Sequence, residues 1–106
     1  MKSITVQELH EKLNSSDAMQ GAIVIDVRTP EEYAQGHIPT AVNKPLDKLA
    51  LYADALKAYD KVYVHCRTGG RSSRACVQLE ELGHGKVYNI HGGVEAWQRA
   101  GYDAEL

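Results

Sequence analysis

Strand and helix signals alternate from one end of the 106-residue chain to the other, a pattern typical of an α/β fold around a mainly parallel sheet. The strongest strand signal is Ala22–Val27, a continuous β-branched run of the kind found in strands buried on both faces. Lys61–His65 predicts a second central strand, and shorter strands are predicted at 41–43 and 87–90. No linker or internal repeat interrupts the pattern, so we expect one domain over residues 1–106.

Two capping boxes mark the starts of the first two helices, at Thr5–Glu8 and Thr29–Glu32. Because Pro30 takes the first helical position of the second box, that helix begins directly after the strand at 22–27, and Gly36 is expected to end it. Three later helices are predicted from apolar residues at helical spacing: one carrying Leu46, Leu49, Ala53 and Leu56, one from Arg71 or Ser72 to Gly83, and one at 94–100 with Trp97 inward.

The charges of the chain are unevenly spread. It has 12 Lys and Arg against 14 Asp and Glu, a formal net charge of −2. No acidic residue lies between Asp60 and Glu80, where four cations give a local charge of +4 and leave −6 elsewhere: Lys61, Arg67, Arg71 and Arg74. An acidic total argues against a nucleic-acid-binding surface, which usually needs a basic face. The basic segment instead favours a small anion as the partner.

The sequence disfavours a membrane, secreted or metal-binding protein. Its longest apolar run, Leu49–Ala53, is far too short for a membrane helix. Polar residues between Gln7 and Glu11 lie where a signal peptide would have its apolar region. Cys66 and Cys76 have neither CxxC nor zinc-ligand spacing, and the five histidines show no metal-ligand spacing. We therefore expect a cytoplasmic protein with unpaired thiols and no metal.

The clearest chemical signal is the segment His65–Ser72, between a predicted buried strand and a predicted helix start. In open α/β sheets, ligands bind at the carboxyl ends of strands, where unpaired N–H groups of helix starts point outward. Gly69 and Gly70 are expected to adopt positive φ and to curl several N–H groups toward one centre. The Cys66 sulfur is nearest that centre, in a loop that we expect to be lined by donors, with nothing apolar around it.

These surroundings would lower the pKa of Cys66 from the free-thiol value of about 8.5 and make its thiolate a ready nucleophile. Arg67 and Arg71 flank the cysteine and would add charge-assisted hydrogen bonds of about 1.5 to 3 kcal/mol each. We assign Cys66 as the catalytic residue. The predicted substrate-binding residues are Arg67, Thr68, Gly69, Gly70, Arg71 and Ser72.

Three sequence blocks together resemble the stand-alone, single-domain members of the rhodanese (sulfurtransferase) family over almost the whole chain. They are Ile25–Tyr33 with Gly36–Pro39, the Cys66 loop, and Gly92–Trp97 with Gly101–Tyr102. The resemblance implies a five-stranded, mainly parallel sheet flanked by helices on both faces. It also implies that Cys66 takes a sulfane sulfur from a small anionic donor such as thiosulfate. The resulting persulfide would pass the sulfur to cyanide or a thiol, including a protein thiol, without metal or organic cofactor.

Two positions depart from the family pattern. Thr40 replaces the small Gly that often follows His-Ile-Pro, which we interpret as a change in local packing. Thr68 lies where members best known for using thiosulfate carry a Lys, so a cation that would engage the outer sulfonate is missing. Since Arg67 and Arg71 remain to engage an anion, the chemistry is better defined than the donor.

Two other functions use similar sequence features. Protein tyrosine phosphatases, and phosphatases and arsenate reductases built on the same fold, have a comparable His-Cys-loop-Arg-Ser cradle with one more residue between Cys and Arg. The six residues from Cys66 to Arg71 would form a tighter ring that suits a single sulfur atom better than a tetrahedral phosphate. A non-catalytic sulfur-relay or interaction module is the second alternative.

Several residues near the loop are predicted to be structural. Cys76 and Trp97 lie on apolar helical stripes and are expected in the core. Strand alternation turns His65 away from Cys66, so we interpret His65 as a packing residue and not as a base. Arg74 is predicted to be a surface group. The turn at 91–93 is predicted to bring backbone near the Cys66 loop.

Overall fold

The computed structural model describes residues 1–15 and 17–106. Its strands are β1 (Lys2–Ile4), β2 (Ala22–Asp26), β3 (Val42–Asn43), β4 (Lys61–His65) and β5 (Val87–Ile90). They form one sheet in the order β1-β5-β4-β2-β3, and neighbouring strands pair in parallel. The α/β fold with a five-stranded sheet is confirmed, and the two strands expected to be central, β2 and β4, lie side by side in its interior.

Helices cover both faces of the sheet. They are α1 (Val6–Leu13), α2 (Pro30–Ala34), α3 (Leu49–Leu56), α4 (Gly70–Glu81) and α5 (Gly93–Arg99), with a 3-10 turn at Leu46–Lys48. On one face, Leu9 of α1 and Trp97 of α5 are buried in a cluster with Val24 of β2. On the other, α3 and α4 share a second cluster with Ile25 and Val64. Because the two clusters lie on opposite sides of the strands, successive residues of β2 serve different cores.

The residue pattern alone did not reveal β1, so the fifth strand rested only on the family resemblance. Strand β1 has three residues, of which only Ile4 is buried. Such a segment has no alternation to detect, and it becomes a strand by pairing with the edge of β5, Ile4 opposite Ile90. Tertiary pairing, which no local pattern encodes, therefore completes the sheet.

The helix predicted from Leu46 to Leu56 is broken in two. Lys48, the last residue of the 3-10 turn, has φ −117 and ψ 7, outside α-helical geometry, so α3 begins only at Leu49. The other predicted elements differ from the structure by a residue or two at their ends; α4, for example, begins at Gly70 instead of Arg71.

Thr40 occupies a backbone position that favours glycine, so its interpretation as a packing change is wrong. Its φ is +73, the only positive value at a non-glycine position among the described residues. The turn is closed by the Ala41 N–H to the Ile38 carbonyl at 3.0 Å, with Pro39 second and Thr40 third. That is the pattern of a type II turn, whose third position needs positive φ. The Gly expected here relieves backbone strain, and Thr40 retains it.

Both predicted capping boxes form. The Thr29 side chain accepts the Glu32 N–H at 3.3 Å, while a Glu32 carboxylate oxygen accepts the Thr29 N–H at 3.1 Å. The box at Thr5 and Glu8 makes the equivalent bonds at 3.0 and 2.9 Å. The box at Thr29 has a further consequence, because it places the Glu32 carboxylate beside the loop that follows β4.

Candidate active site

The Cys66 loop joins the carboxyl end of β4 to the start of α4, as predicted. Cys66 continues the face of β4 that carries Val62 and Val64, so its side chain points toward α4. Its sulfur accepts the N–H of Gly69 at 3.1 Å and that of Ser72 at 3.4 Å. The thiol also donates to the Ser72 hydroxyl oxygen, with the sulfur and oxygen 3.4 Å apart. The loop therefore converges on the sulfur atom.

A single left-handed residue is enough to form this loop. Gly69 has φ +116, as predicted, and its carbonyl accepts the Ser73 N–H at 3.1 Å. Gly70 does not have positive φ, so that prediction is wrong. It is the first residue of α4, where ordinary helical geometry already aims the N–H groups toward the loop.

Cys66 is buried, with 2% of its surface exposed. The expectation that nothing apolar surrounds it is wrong, because it belongs to the core cluster that includes Val64, Ala75 and Cys76. The strand face that carries it runs directly into that core. The loop thus presents hydrogen-bond donors to one side of the sulfur and apolar side chains to the other.

The turn between β5 and α5 covers the loop from outside, which confirms the predicted approach of backbone at 91–93. The N–H groups of Val94 and Glu95 donate to the carbonyls of Cys66 and Arg67 at 3.0 and 3.1 Å. Gly93 is needed there because a Cβ atom would overlap both carbonyl oxygens. Those two bonds tie the cysteine backbone to a helix that is distant in sequence.

The hydrogen bonds at Cys66 outweigh its burial. Burial alone would raise the pKa of the thiol, but the hydrogen bonds that a thiolate can accept from the Ser72 hydroxyl and from the N–H groups of Ser72, Gly69 and Thr68 together lower the pKa below its usual value. Cys76 has burial without such donors, and burial raises the pKa of Cys76 to about 12. Cys66 is therefore the thiol that forms a thiolate most readily, whereas Cys76 is a core residue as predicted.

Each of the two predicted binding arginines is paired with a carboxylate. Arg71 makes a bidentate ion pair with Glu32, with nitrogen–oxygen distances of 2.7 and 3.0 Å. The Arg67 Nε lies 3.2 Å from Glu95, and its side chain is 69% exposed. In the described residues, the hydrogen bonds of the Cys66 sulfur are made with Gly69 and Ser72, and neither guanidinium takes part in them. Carboxylates from other parts of the chain therefore neutralise part of the positive charge between Asp60 and Glu80.

The two arginines border different cavities. Arg71 lines an open cavity of about 720 Å³ together with Arg74, Val27 and Leu46. Arg67 lines a second cavity of about 340 Å³ that it shares with Glu32 and Glu95. The structure brings Cys66, Gly69 and Ser72 together, and it leaves Arg67, Thr68 and Gly70 at the exposed outer side of the loop.

Asn89 joins the site from β5, although the sequence analysis did not single it out. The Ser72 hydroxyl donates to the Asn89 side-chain oxygen, and the Asn89 amide donates to the Ser73 hydroxyl at 3.1 Å. Asn89 is a polar residue inside a predicted strand, and it shares the face of Val87, which packs with α4. Because Asn89 lies two residues after Val87, side-chain alternation along the predicted strand could have indicated that it faces α4.

His65 lies on the opposite face of β4 from Cys66, as predicted. It is fully buried, its Nε2 is 3.7 Å from Asp26 Oδ2, and its Nδ1 is 3.3 Å from the Cys66 carbonyl oxygen. Burial is the main cause that lowers the pKa of His65 to about 4, so the ring is neutral near pH 7. Asp26 is bound by Arg28 at 2.7 Å. His65 is a buried neutral group behind the loop.

Two broader features bear on function. Across residues 1–15 and 17–106, no cluster of three or more His, Cys, Asp or Glu is arranged to hold a metal ion. In the same part of the chain, no helix has the length and apolar character that crossing a membrane requires.

Comparison with known proteins gives consistent matches. Residues 5–100 match the family of rhodanese-like domains. A sulfurtransferase from Allochromatium vinosum is 34% identical over 101 residues, covering 95% of this chain and 92% of that protein. The structure of a thiosulfate sulfurtransferase from Pseudomonas aeruginosa aligns with a TM-score of 0.87 at 27% identity, over 99% of this chain and 20% of that one. A Rhodopseudomonas palustris protein of unknown function, described as a possible tyrosine phosphatase, aligns with a TM-score of 0.85 at 25% identity, over 99% of this chain and 85% of that one.

Proposed function

Because the chain belongs to the family of rhodanese-like domains and is similar in sequence to a sulfurtransferase, we propose that it transfers sulfur through a persulfide on Cys66. The observation that carries the proposal is the convergence of the Gly69 and Ser72 N–H groups on a sulfur whose pKa is lowered. A thiolate held at the carboxyl end of a central strand is a nucleophile that needs no separate base.

The reaction has two displacement steps. In the first, the Cys66 thiolate attacks the outer sulfur of thiosulfate or a similar donor. A new sulfur–sulfur bond forms, the donor's own sulfur–sulfur bond breaks, and sulfite leaves with the bonding electron pair. In the second step, cyanide or a thiolate attacks the terminal sulfur of the persulfide. Thiocyanate or a new persulfide is released, and Cys66 regains its thiolate, which gives ping-pong kinetics.

The proposed substrate-binding residues divide into two groups. Gly69 and Ser72 hold the sulfur itself through their N–H groups, and Thr68 and Gly70 complete the loop backbone. Arg67 and Arg71 border the two cavities described above and would meet the anionic part of the donor with charge-assisted hydrogen bonds. To do so, each must share its guanidinium with the carboxylate that now binds it. A small anionic donor therefore competes with Glu32 and Glu95.

We extend the proposal to the setting of the reaction. The sulfurtransferase relative is matched over nearly its full length, which supports residues 1–106 acting as one domain. The two free thiols fit a reducing compartment, which supports the cytoplasm as the location.

A phosphatase or arsenate reductase is the second candidate, favoured by the Rhodopseudomonas palustris match and by the Cys-to-Arg arrangement. The loop geometry supports sulfur transfer instead. Its N–H groups lie 3.1 and 3.4 Å from the Cys66 sulfur and are directed at that atom. A phosphate-binding loop must direct the same groups at oxygens beyond the sulfur.

Intact-mass measurement tests the proposal. We expect the wild-type protein to gain the mass of one sulfur atom on incubation with thiosulfate and to lose it on addition of cyanide. Cys66→Ser should show no adduct, and Cys76→Ser should gain it like the wild type. No adduct with thiosulfate or any other sulfane donor would overturn the proposal. Hydrolysis of an aryl phosphate in its place would select the phosphatase, and neither activity would select the non-catalytic sulfur-relay or interaction module.

A further inference from the structure

A closed ring of hydrogen bonds connects Cys66 to a residue outside its loop. Starting from the sulfur, the ring passes through the Ser72 hydroxyl, the Asn89 side chain and the Ser73 hydroxyl to the carbonyl of Gly69, and the N–H of the same residue returns it to the sulfur. Ser72 is fully buried and Asn89 is 6% exposed. Because water has little access, the protein groups must satisfy one another.

The direction of every proton in this ring follows from one acceptor. The Gly69 carbonyl can only accept, so the single Ser73 hydroxyl proton, at an oxygen–oxygen distance of 2.7 Å, goes to it. The Ser73 oxygen must then accept, which turns the NH₂ group of the Asn89 amide toward it at 3.1 Å. The Asn89 carbonyl oxygen is thereby left facing Ser72.

The same assignment of donors and acceptors determines the direction of the hydrogen bond between Ser72 and the sulfur. The Asn89 oxygen can only accept, so the Ser72 hydroxyl proton is directed at Asn89 and away from the sulfur. In the thiol state, Ser72 therefore accepts the Cys66 S–H. When the thiol loses its proton, Ser72 can stabilise the thiolate only by rotating its O–H from Asn89 to the sulfur.

We propose that Asn89 is a positioning residue for Cys66: it holds the Ser72 hydroxyl proton away from the sulfur and so opposes formation of the free thiolate. The persulfide state differs, because its charge lies on the terminal sulfur and Ser72 can stay bonded to Asn89. Asn89 thus acts through the Ser72 hydroxyl to oppose the free thiolate without opposing the persulfide. Its relevance to catalysis rests on the proposed sulfur transfer, whereas its effect on the thiol does not.

The charged groups around Cys66 lie outside the hydrogen-bonded ring. Arg71 lies on α4 and is paired with Glu32 of α2, and Arg67 in the loop is paired with Glu95 of α5. On the far face of β4, His65 is neutral near pH 7. The substitutions used to test Asn89 leave all of these groups in place.

The test is the pH dependence of Cys66 alkylation by iodoacetamide, with the modified residue located by peptide mass. Asn89→Leu removes the acceptor and frees the Ser72 proton, so the alkylation midpoint should fall by about 0.5 to 1 pH unit. Asn89→Asp strengthens the acceptor and adds negative charge, so its midpoint should rise. Ser72→Ala removes the donor and should also raise it.

The sign of the shift separates this role from a structural one. If Asn89 merely supported the loop, Asn89→Leu would displace the N–H donors and raise the midpoint; an upward shift or no shift overturns the proposal. In the Ser72→Ala background, Asn89→Leu should have no further effect, since Asn89 acts through Ser72. Asn43→Leu is the matched control: Asn43 binds two backbone carbonyls at 3.0 Å away from the ring, and the midpoint should not move.

A folding failure would not leave the question open. If Asn89→Leu does not fold, judged by circular dichroism, the isosteric Asn89→Asp is compared with and without Ser72→Ala. The midpoint should rise more when the Ser72 hydroxyl is present, and an equal rise or no rise overturns the proposal. Alkylation needs no sulfur donor. A protein that fails the intact-mass test and still shows the predicted shifts would refute the proposed function and keep the role of Asn89, and the reverse pattern would do the opposite.

Discussion

Replacing Glu32 by Gln separates its role in the capping box from its ion pair with Arg71. Glutamine retains the capping box with Thr29, because its side-chain oxygen can still accept the Thr29 N–H. It removes the negative charge that binds Arg71 at 2.7 and 3.0 Å. We expect Glu32→Gln to lower stability modestly and to improve the use of an anionic sulfur donor, since Arg71 is released.

The size of the stability loss follows from the pKa of Glu32. The Arg71 hydrogen bond is the largest cause that lowers this pKa from 4.5 to about 2, which corresponds to about 3 kcal/mol if fully effective. The Glu32 side chain is 31% exposed, so solvent screening reduces this to about 1 to 2 kcal/mol. Because the folded pKa is depressed, the contribution is complete above pH 4.5 and is lost as the pH falls toward 2.

Two assays measure the outcome. Urea unfolding at pH 7 should show the loss in Glu32→Gln, with a smaller effect in Glu8→Gln, which alters the equivalent box of α1 where no arginine is paired. In the persulfide-forming step, the KM for thiosulfate should fall by about five- to tenfold in Glu32→Gln, the equivalent of about 1 to 1.4 kcal/mol. The KM for an uncharged trisulfide donor should stay constant.

A different result would refute the reasoning. If the KM for thiosulfate rises in Glu32→Gln while Glu8→Gln is unchanged, Glu32 holds Arg71 in its binding position and does not compete with the donor. If both variants behave like the wild type toward thiosulfate, Arg71 has no part in binding the anion.

Two further predictions concern stability. Thr40→Gly should stabilise the fold by about 0.5 to 1 kcal/mol, because relief of the strain at φ +73 exceeds the entropy cost of glycine. Urea unfolding measures this, and an equal or lower midpoint contradicts it. The pKa of about 4 for His65, against 6.5 unfolded, predicts a loss of about 3 kcal/mol as the pH falls from 6.5 to 4, because only the unfolded state binds the proton in that range. His65→Phe should remove that slope in pH-dependent unfolding, and an unchanged slope would assign it to other groups.

What the sequence predicted well are features encoded by neighbouring residues. Strand β4, the box at Thr29 and the positive φ of Gly69 each depend on a few consecutive side chains, and each is present in the structure. Strand β1 was missed because three residues with one buried side chain carry no such signal until β5 is beside them.

The features that the sequence did not reveal at the candidate site are contacts between distant segments. Cys66 was expected among donors alone, yet β4 directs its side chain into the core between the sheet and α4. Glu32 read as a helix cap, and nothing local indicated that it would reach Arg71, 39 residues away. Asn89 lies 17 residues beyond Ser72, and only strand parity connects the two. Such contacts depend on the packing of whole elements.

These long-range contacts change how charge at the site is understood. The sequence indicated that loop N–H groups, the helix start and two arginines would together ionise Cys66. The groups within hydrogen-bonding distance of the sulfur are N–H groups and a hydroxyl, while Arg71 is held by Glu32. Local dipoles therefore lower the pKa of the thiol, and under the proposed function the carboxylates that bind Arg67 and Arg71 would compete with an anionic donor. The two sets remain linked through charge, because the Cys66 thiolate helps Glu32 to raise the pKa of Arg71, so a substitution of Arg71 should alter both the binding of an anion and the ionisation of Cys66.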